Sequence, residues 1–439
     1  LILTRKKGVK HGEIKVQFIR KMNDIALVPQ IILGALLLMN GYTGSVYITL
    51  LIQIYIMIFA VVIDADKSIL LYLMVAFNSN LLSASYLILT FGYLLVLLFK
   101  INFKISQHIV KYSGLFFIYL FMSFLMHDGI HTDYLNYVFR IVCELLICFI
   151  IVEHNYYNKI KTGVLFSFVF LAIQTFILGD LMYGSRMSPI NSNPNYLGGL
   201  MGIAILVCIL NIDKSIELKS NVYLVIYLLL FGLFVYCGAL TLSRSFLVTA
   251  VVEIALFVLS KVGLSLRKII FLILLLTMVF LSYKYFLVDA INVIIKRIAS
   301  DETGGSGRLE IWMKYFKEWK YSLWYMIGGI GFNETHNWIT NNNIPVGNVH
   351  NLFVEILTTK GIFGTLIYLF VYVKGLMFDN RKIKNHNKMK RIILATFICS
   401  FMFESGIDSF YRCWQIYIFI ILYLTVNNEV NDKEKMGKL

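Results

Sequence analysis

Residues 196–238 read YLGGLMGIAILVCILNIDKSIELKSNVYLVIYLLLFGLFVYCG. Two apolar runs, 196–211 and 221–238, flank a short connection that carries Lys214 and Lys219. A helix rises about 1.5 Å per residue, so a run of roughly 20 apolar residues crosses the hydrocarbon of a bilayer. Each run is close to that length, and the charged connection between them belongs in water. Moving outward in either direction, the pattern repeats.

Apolar spans recur at 25–39, 46–63, 69–84, 85–99, 109–126, 135–152, 162–179, 196–211, 221–238, 245–260, 268–287, 351–377, 391–407 and 411–427. The chain has 439 residues, of which 59% are hydrophobic and 15% charged, and its mean hydropathy is +0.75. Those values exclude a soluble globular enzyme of this length. The expected fold is an all-α polytopic membrane protein with about 12 to 14 transmembrane helices and one large outer-face loop containing short amphipathic helices.

The formal charge of +15 raises the question of nucleic acid, and its distribution answers it. Basic residues concentrate at 5–21, 100–111, 159–161, 214–219, 261–268, 374–391 and 433–438, alternating with nearly uncharged connections. Placed inside, these stretches give one topology with both termini cytoplasmic, so most of the excess charge is an orientation signal. No basic stripe with interleaved aromatics marks a nucleic-acid surface. The resulting division is a basic cytoplasmic segment 1–24, a helix bundle 25–287, an extracytoplasmic loop 288–350, C-terminal transmembrane helices 351–427 and a cytoplasmic tail 428–439. The first residues carry too much charge for a cleaved signal peptide, so span 25–39 is expected to act as an uncleaved anchor. Six cysteines, at 143, 148, 208, 237, 399 and 413, form no CxxC pair and no zinc spacing.

Against the inside bias, three arginines fall on the outer side beside glycine, serine and asparagine: Arg186 in GSRMSPINSNPNYLGG, Arg244 in TLSRSF and Arg308 in GGSGRLEIW. A guanidinium offers a rigid fork of donors that matches phosphate oxygens and stays charged at any relevant pH. Three such forks on one face suit a diphosphate at the membrane surface; capping a helix or pairing with lipid phosphate explains any one alone. His350 stands where the long loop meets span 351–377, in VGNVHNLFVEILTTKGIFG, residues 346–364. An imidazole titrates near working pH, so it is suited to removing a proton from a sugar hydroxyl. Asn348 or Asn351 is placed to fix its tautomer, Glu355 to tune it or hold an acceptor hydroxyl, and His336, in NETHNW, is a competing histidine in the same loop. The bland reading is a histidine and a buried acid satisfied at a helix start.

Within the long loop, Leu309, Trp312, Phe316, Trp319 and Leu323 recur at helical spacing, with Lys314, Lys317 and Lys320 on other faces. That helix either lies flat on the membrane or packs on the top of the bundle.

Taken in order, these elements resemble the bacterial O-antigen ligase and O-antigen polymerase superfamily of membrane glycosyltransferases. The resemblance is carried by RMSPINSNPNYLGG, by TLSRSFLVTA, by GGSGRLEIW followed by GGIGF, and by HNLFVEILTTKGIFG, and it runs from about residue 130 to 425. It implies glycosyl transfer on the outer face of the bacterial plasma membrane, from an undecaprenyl-diphosphate-linked oligosaccharide and without a metal or other cofactor. By the same resemblance His350 is the catalytic base, and Arg186, Arg244 and Arg308 bind the diphosphate. The expected activity is polymerisation of lipid-linked repeat units into a surface polysaccharide (O-antigen, capsule or exopolysaccharide), with a chain-length regulator as a further candidate partner. The alternatives are ligation of the glycan to a lipopolysaccharide core and, as a third reading, a lipid-linked oligosaccharide flippase. One departure bears on the choice: Arg186 to Gly198 matches the arginine-to-glycine spacing of the polymerase branch only approximately, and Arg308 to Gly328 less well.

Other constellations read differently. His127, Asp128, His131 and Asp133 crowd one short outer loop, and Asp64 and Asp66 form an acidic pair on the cytoplasmic side; each admits metal binding but is more simply a loop. Arg140 and Glu144 lie four apart inside a span and read as an ion pair, Glu253 is an isolated acid in another, and Glu404, Asp408 and Arg412 form a ladder at the last outer turn.

Overall fold

The computed structural model describes residues 27–82, 85–126, 132–178, 180–182, 186–188, 194–260, 308–331, 349–377, 388–402 and 413–436. The chain is an all-α membrane protein. Its helices are α1 (Leu27–Thr43), α2 (Val46–Val62), α3 (Ala65–Phe77), α4 (Ser85–Lys100), α5 (Gln107–Met126), α6 (Thr132–Glu153) and α7 (Tyr157–Leu178). After a hairpin come α8 (Pro194–Glu217), α9 (Asn221–Leu240) and α10 (Arg244–Ser260), then α11 (Arg308–Trp319) and α12 (Leu323–Gly328). The series closes with α13 (Leu352–Leu369), which continues as a π-helix over Phe370–Met377, and with α14 (Lys388–Met402) and α15 (Cys413–Met436). Every predicted span falls on a described helix except 268–287, which lies outside the described residues. A 3-10 turn at Ser79–Leu81 separates α3 from α4, so the two neighbouring spans there are distinct helices.

By length and apolar composition, Pro194–Glu217, Asn221–Leu240 and Leu352–Gly375 are each sufficient to cross a membrane, and five shorter apolar helices accompany them. What faces outward confirms the solvent: Val28, Ile31, Ile58, Val61 and Leu229 are all large, apolar and exposed. Such a belt aggregates in water and is at home in lipid. Buried on nearly every side, α8 is the central post of the bundle, packed on α9, α10 and α7.

The one departure from helix among the described residues is a hairpin of β1 (Asp180–Met182) and β2 (Arg186–Ser188), antiparallel with Asp180 opposite Ser188 and Met182 opposite Arg186. It lies in the connection before α8, and β2 packs on that helix. Deep in the bundle, the predicted Arg140–Glu144 pair forms with Nε to Oε1 at 4.0 Å. Glu144 also accepts from the Tyr86 hydroxyl at 3.0 Å, and Tyr86 meets the Tyr72 hydroxyl at 3.1 Å. That chain ties α3, α4 and α6 together where hydrocarbon offers no other partners. Asp64 serves as the N-cap residue of α3 and pairs with Lys67 at 3.2 Å, the structural role of a loop acid.

Candidate functional site

Helix α13 begins with a designed start. Asn351 is its N-cap, and its Oδ1 accepts from the backbone N–H groups of Phe353 at 3.0 Å and Val354 at 3.1 Å. A short side chain acceptor at this position satisfies donors that the helix itself cannot. Glu355 lies in the first turn, buried, with its N–H bonded to the Asn351 carbonyl at 2.9 Å; an acid there is favoured by the helix dipole. Immediately before the cap, His350 is half-buried and takes a left-handed backbone, φ 51°. Among side chains other than glycine, histidine is one of the few that visit this region with any frequency.

Holding that conformation is the work of α11. The Trp312 indole N–H donates to the Val349 carbonyl at 2.8 Å, gripping the peptide that leads into His350. Around it sits a small hydrophobic core of Ile311, Tyr315, Trp319, Ile330 and Val349, with Trp312, Phe316, Met326, Val354 and Leu357 against it. It is distinct from the main core of the bundle. Of the two sequence readings of α11, packing on the protein is the one observed, and the buried stripe is Ile311, Tyr315 and Trp319. Leu309 and Leu323 are instead exposed. Both stripes are apolar in a helix of 12 residues, so periodicity alone did not select between them. On the exposed face Lys314 pairs with Glu310 at 2.8 Å and, by that hydrogen bond and its charge, holds the Glu310 carboxyl below the usual range.

A second fixture lies beyond α12. Gly361 interrupts α13 with φ 65° and ψ −177°, which removes the regular hydrogen bonds around the break. The carbonyls of Thr358 and Thr359 are taken up by the N–H groups of Ile330 at 2.9 Å and Gly331 at 3.1 Å, and the Lys360 carbonyl accepts from the Tyr119 hydroxyl at 3.3 Å. Backbone meets backbone here. A Cβ on Gly329, φ 89°, would stand 2.2 Å from the Thr359 oxygen, and one on Gly361 would stand 2.3 Å from the Ile327 oxygen. The two glycine motifs of the sequence, GGIGF and KGIFG, are therefore the two halves of one clasp. Lys360, beside the break, is almost fully buried.

The packing of α11 and α12 on α13 thus sets Trp312 against the peptide before His350, with Asn351 and Glu355 in the turn that follows. Arg308 stands one turn before Trp312 on α11, on the same side of the helix. Arg244, half-buried, opens α10, and Arg186 lies in β2; these belong to a second junction, where β2 packs on α8 and Gly198 abuts Ser243 and Phe246. The side chain of Arg186 and all of His336 and Asn348 lie outside the described residues, as do His127, Asp128, His131, Glu404, Asp408 and Arg412. Trp312, Lys360 and Tyr119 are the participants that sequence reasoning missed. The motifs already contained a clue, because paired glycines in a loop and in a helix ask for a close backbone approach.

Residues 226–369, about a third of the chain, match the model of the O-antigen ligase family. The matched stretch contains Arg244, Arg308, His336, His350, Asn351 and Glu355, and both halves of the glycine clasp; Arg186 precedes it. No curated protein and no solved structure matches the chain. Over that stretch the match agrees with the ligase and polymerase resemblance carried by the sequence motifs.

Proposed function

We propose that this protein transfers a glycan from a polyprenyl-diphosphate carrier on the outer face of the bacterial plasma membrane, extending a surface polysaccharide. The observation that carries the reading is the seating of His350 between the Trp312 grip and the Asn351 cap, with Arg308 one turn from Trp312 and the whole assembly inside the O-antigen ligase match. A base must be fixed to within a fraction of an ångström to act, and both sides of His350 are fixed. In the reaction so read, the imidazole takes the proton of the acceptor hydroxyl as its oxygen attacks the anomeric carbon. The bond from that carbon to the diphosphate breaks, and Arg308, Arg244 and Arg186 stabilise the charge that grows on the departing oxygens.

Polymerase and ligase share this donor and differ in the acceptor, a second lipid-linked repeat unit or a lipopolysaccharide core. The test uses the full chain in proteoliposomes with an undecaprenyl-diphosphate oligosaccharide and EDTA, wild type beside His350→Ala. A ladder of products that vanishes in the variant is expected. Transfer only when a lipopolysaccharide core is added would assign the ligase reaction. Substrate that changes leaflet unreacted would replace the enzyme reading with a flippase, and a normal ladder from His350→Ala would remove His350 from its role.

A further inference from the structure

Helix α12 has no buried residue, although its sequence, LWYMIG, is almost wholly apolar. Leu323 is 72% exposed, Trp324 52% and Ile327 46%. The clasp fixes where this face stands. The Ile327 carbonyl lies against Gly361, well inside Leu352–Gly375, a stretch long and apolar enough to cross a membrane. From that level Ile362, Phe363, Leu366 and Leu369 of α13 face outward, so α12 stands beside the upper end of a lipid-facing stripe. Its backbone is provided for as well. Irregular backbone at membrane depth persists only where its polar groups find partners in protein, and beyond α12 the Ile330 and Gly331 N–H groups donate to the Thr358 and Thr359 carbonyls. At the other end the Ser322 hydroxyl oxygen accepts from the Tyr325 N–H at 3.0 Å. Just before α12 come two exposed lysines. Lys317 lies on the side of α11 away from its buried Ile311, Tyr315 and Trp319, and Lys320 follows at the end of that helix, its N–H bonded to the Phe316 carbonyl. The exposed acid of α11, Glu310, is already held by Lys314.

We propose that α12 is seated in the outer leaflet, with Leu323, Trp324 and Ile327 among the acyl chains and Lys317 and Lys320 on the phosphate of an anionic phospholipid. The choice of leaflet rests on the orientation in the proposed function; the lipid contact does not. A tryptophan with aliphatic neighbours belongs at the boundary between headgroups and chains, and lysine stems lie along apolar surface while their heads reach the phosphates. Two cations side by side also select the lipid. A phosphatidylcholine headgroup brings an ammonium of its own, which they repel, whereas phosphatidylglycerol offers a net negative charge. A second copy of the chain, paired symmetrically through this face, would set like charges together. The contact bears on the site as well: Met326 of α12 packs on the small core that holds Val349, so the leaflet joins the Trp312 indole and the glycine clasp in supporting the segment that enters His350.

The full chain is reconstituted in phosphatidylcholine vesicles, and the fluorescence of Trp324 is taken as the difference between wild type and Trp324→Phe. Quenching is measured with a nitroxide near the head of the acyl chain, carried either by phosphatidylglycerol or by phosphatidylcholine. Both labels are expected to quench Trp324, the phosphatidylglycerol label at about fivefold lower concentration, the enrichment that one lysine at an anionic surface supplies. That preference should disappear when Lys317→Gln and Lys320→Gln are combined, and in wild type at about 0.5 M salt, where surface charges are screened. Quenching by the phosphatidylcholine label should survive both changes. Trp324 quenched by neither label would place α12 in water and overturn the proposal, and equal quenching by the two labels would overturn it by removing the anionic preference. Quenching that begins only when the chain is diluted in the vesicles would overturn it in favour of a contact between copies. None of these readings uses glycosyl transfer, so the loss of transfer in the same vesicles would remove the proposed reaction and leave the lipid contact standing.

Discussion

At the scale of single residues, the site depends on backbone contacts more than on the side chains that the sequence makes conspicuous. His350 and Asn351 stand out as a polar pair before an apolar run, and their placement at the start of α13 was legible from that alone. That Asn351 caps the helix through Phe353 and Val354, and so is not available through Oδ1 to orient the imidazole, is not legible in the sequence. Nor is the partner of Trp312, Val349, which lies 37 positions away: the period places Trp312 on a helix face and does not name what it meets. Trp312→Phe keeps the ring in the small core and deletes only the donor. Losing one hydrogen bond to a partly buried carbonyl should cost about 1 kcal/mol in thermal unfolding, while displacement of the base should lower turnover by about tenfold to a hundredfold. Donor KM should stay within about a factor of two, because no uniform binding contact has been removed. Equal loss in kcat and stability-limited yield, with the remaining enzyme turning over normally, would reduce Trp312 to a packing residue.

At the scale of elements, helix positions were legible because most are apolar runs ended by charge, glycine or a polar turn, the strongest signal a membrane chain carries. Which elements touch was not, since a period reports a face and never the partner of that face. The clasp makes the point. GGIGF and KGIFG are visible as motifs, yet their meeting through Gly329 and Gly361 follows from the break in α13, which frees carbonyls that another strand of backbone must satisfy. Gly361→Ala forces a side chain into a left-handed position, costing about 1 to 2 kcal/mol before any clash, and the 2.3 Å approach to the Ile327 oxygen adds to it. Hydrogen exchange at the Ile330 and Gly331 amides should therefore rise sharply in this variant and in Gly329→Ala. The double variant should be scarcely worse than either single one, because both open the same contact. Additive losses would show that each glycine serves a separate contact.

At the scale of the molecule, the two junctions lie on elements that begin at one end of the bundle. Short connections force α8, α9 and α10 to alternate in direction, Gly198 near the start of α8 abuts Ser243 and Phe246 at the start of α10, and Gly199 lies against Gln415 at the start of α15. Since α14 must return the chain before α15 descends, α13 also descends from that end. The proposed orientation puts this end outside, in keeping with the charge bias: Lys214 lies in the last turn of α8 and Lys219 in the connection to α9, while the starts of α8 and α13 carry no lysine or arginine in their first turns. The arrangement predicts a labelling pattern. Tyr321 is 81% exposed in the segment between α11 and α12, so Tyr321→Cys should react with a membrane-impermeant maleimide on intact cells with an opened outer barrier. Lys219→Cys, exposed in the connection between α8 and α9, should react only after the plasma membrane is permeabilised. The native cysteines at 143, 148, 208 and 237 are buried, and a parallel sample of the unmodified chain sets their background. Reversal of the pattern would put His350 and the arginines in the cytoplasm, on the side opposite to an assembled surface polysaccharide, and would remove the proposed reaction whatever the quality of the site. Labelling of both positions from outside would instead break the alternation of α8 and α9 and with it the common end on which the two junctions depend.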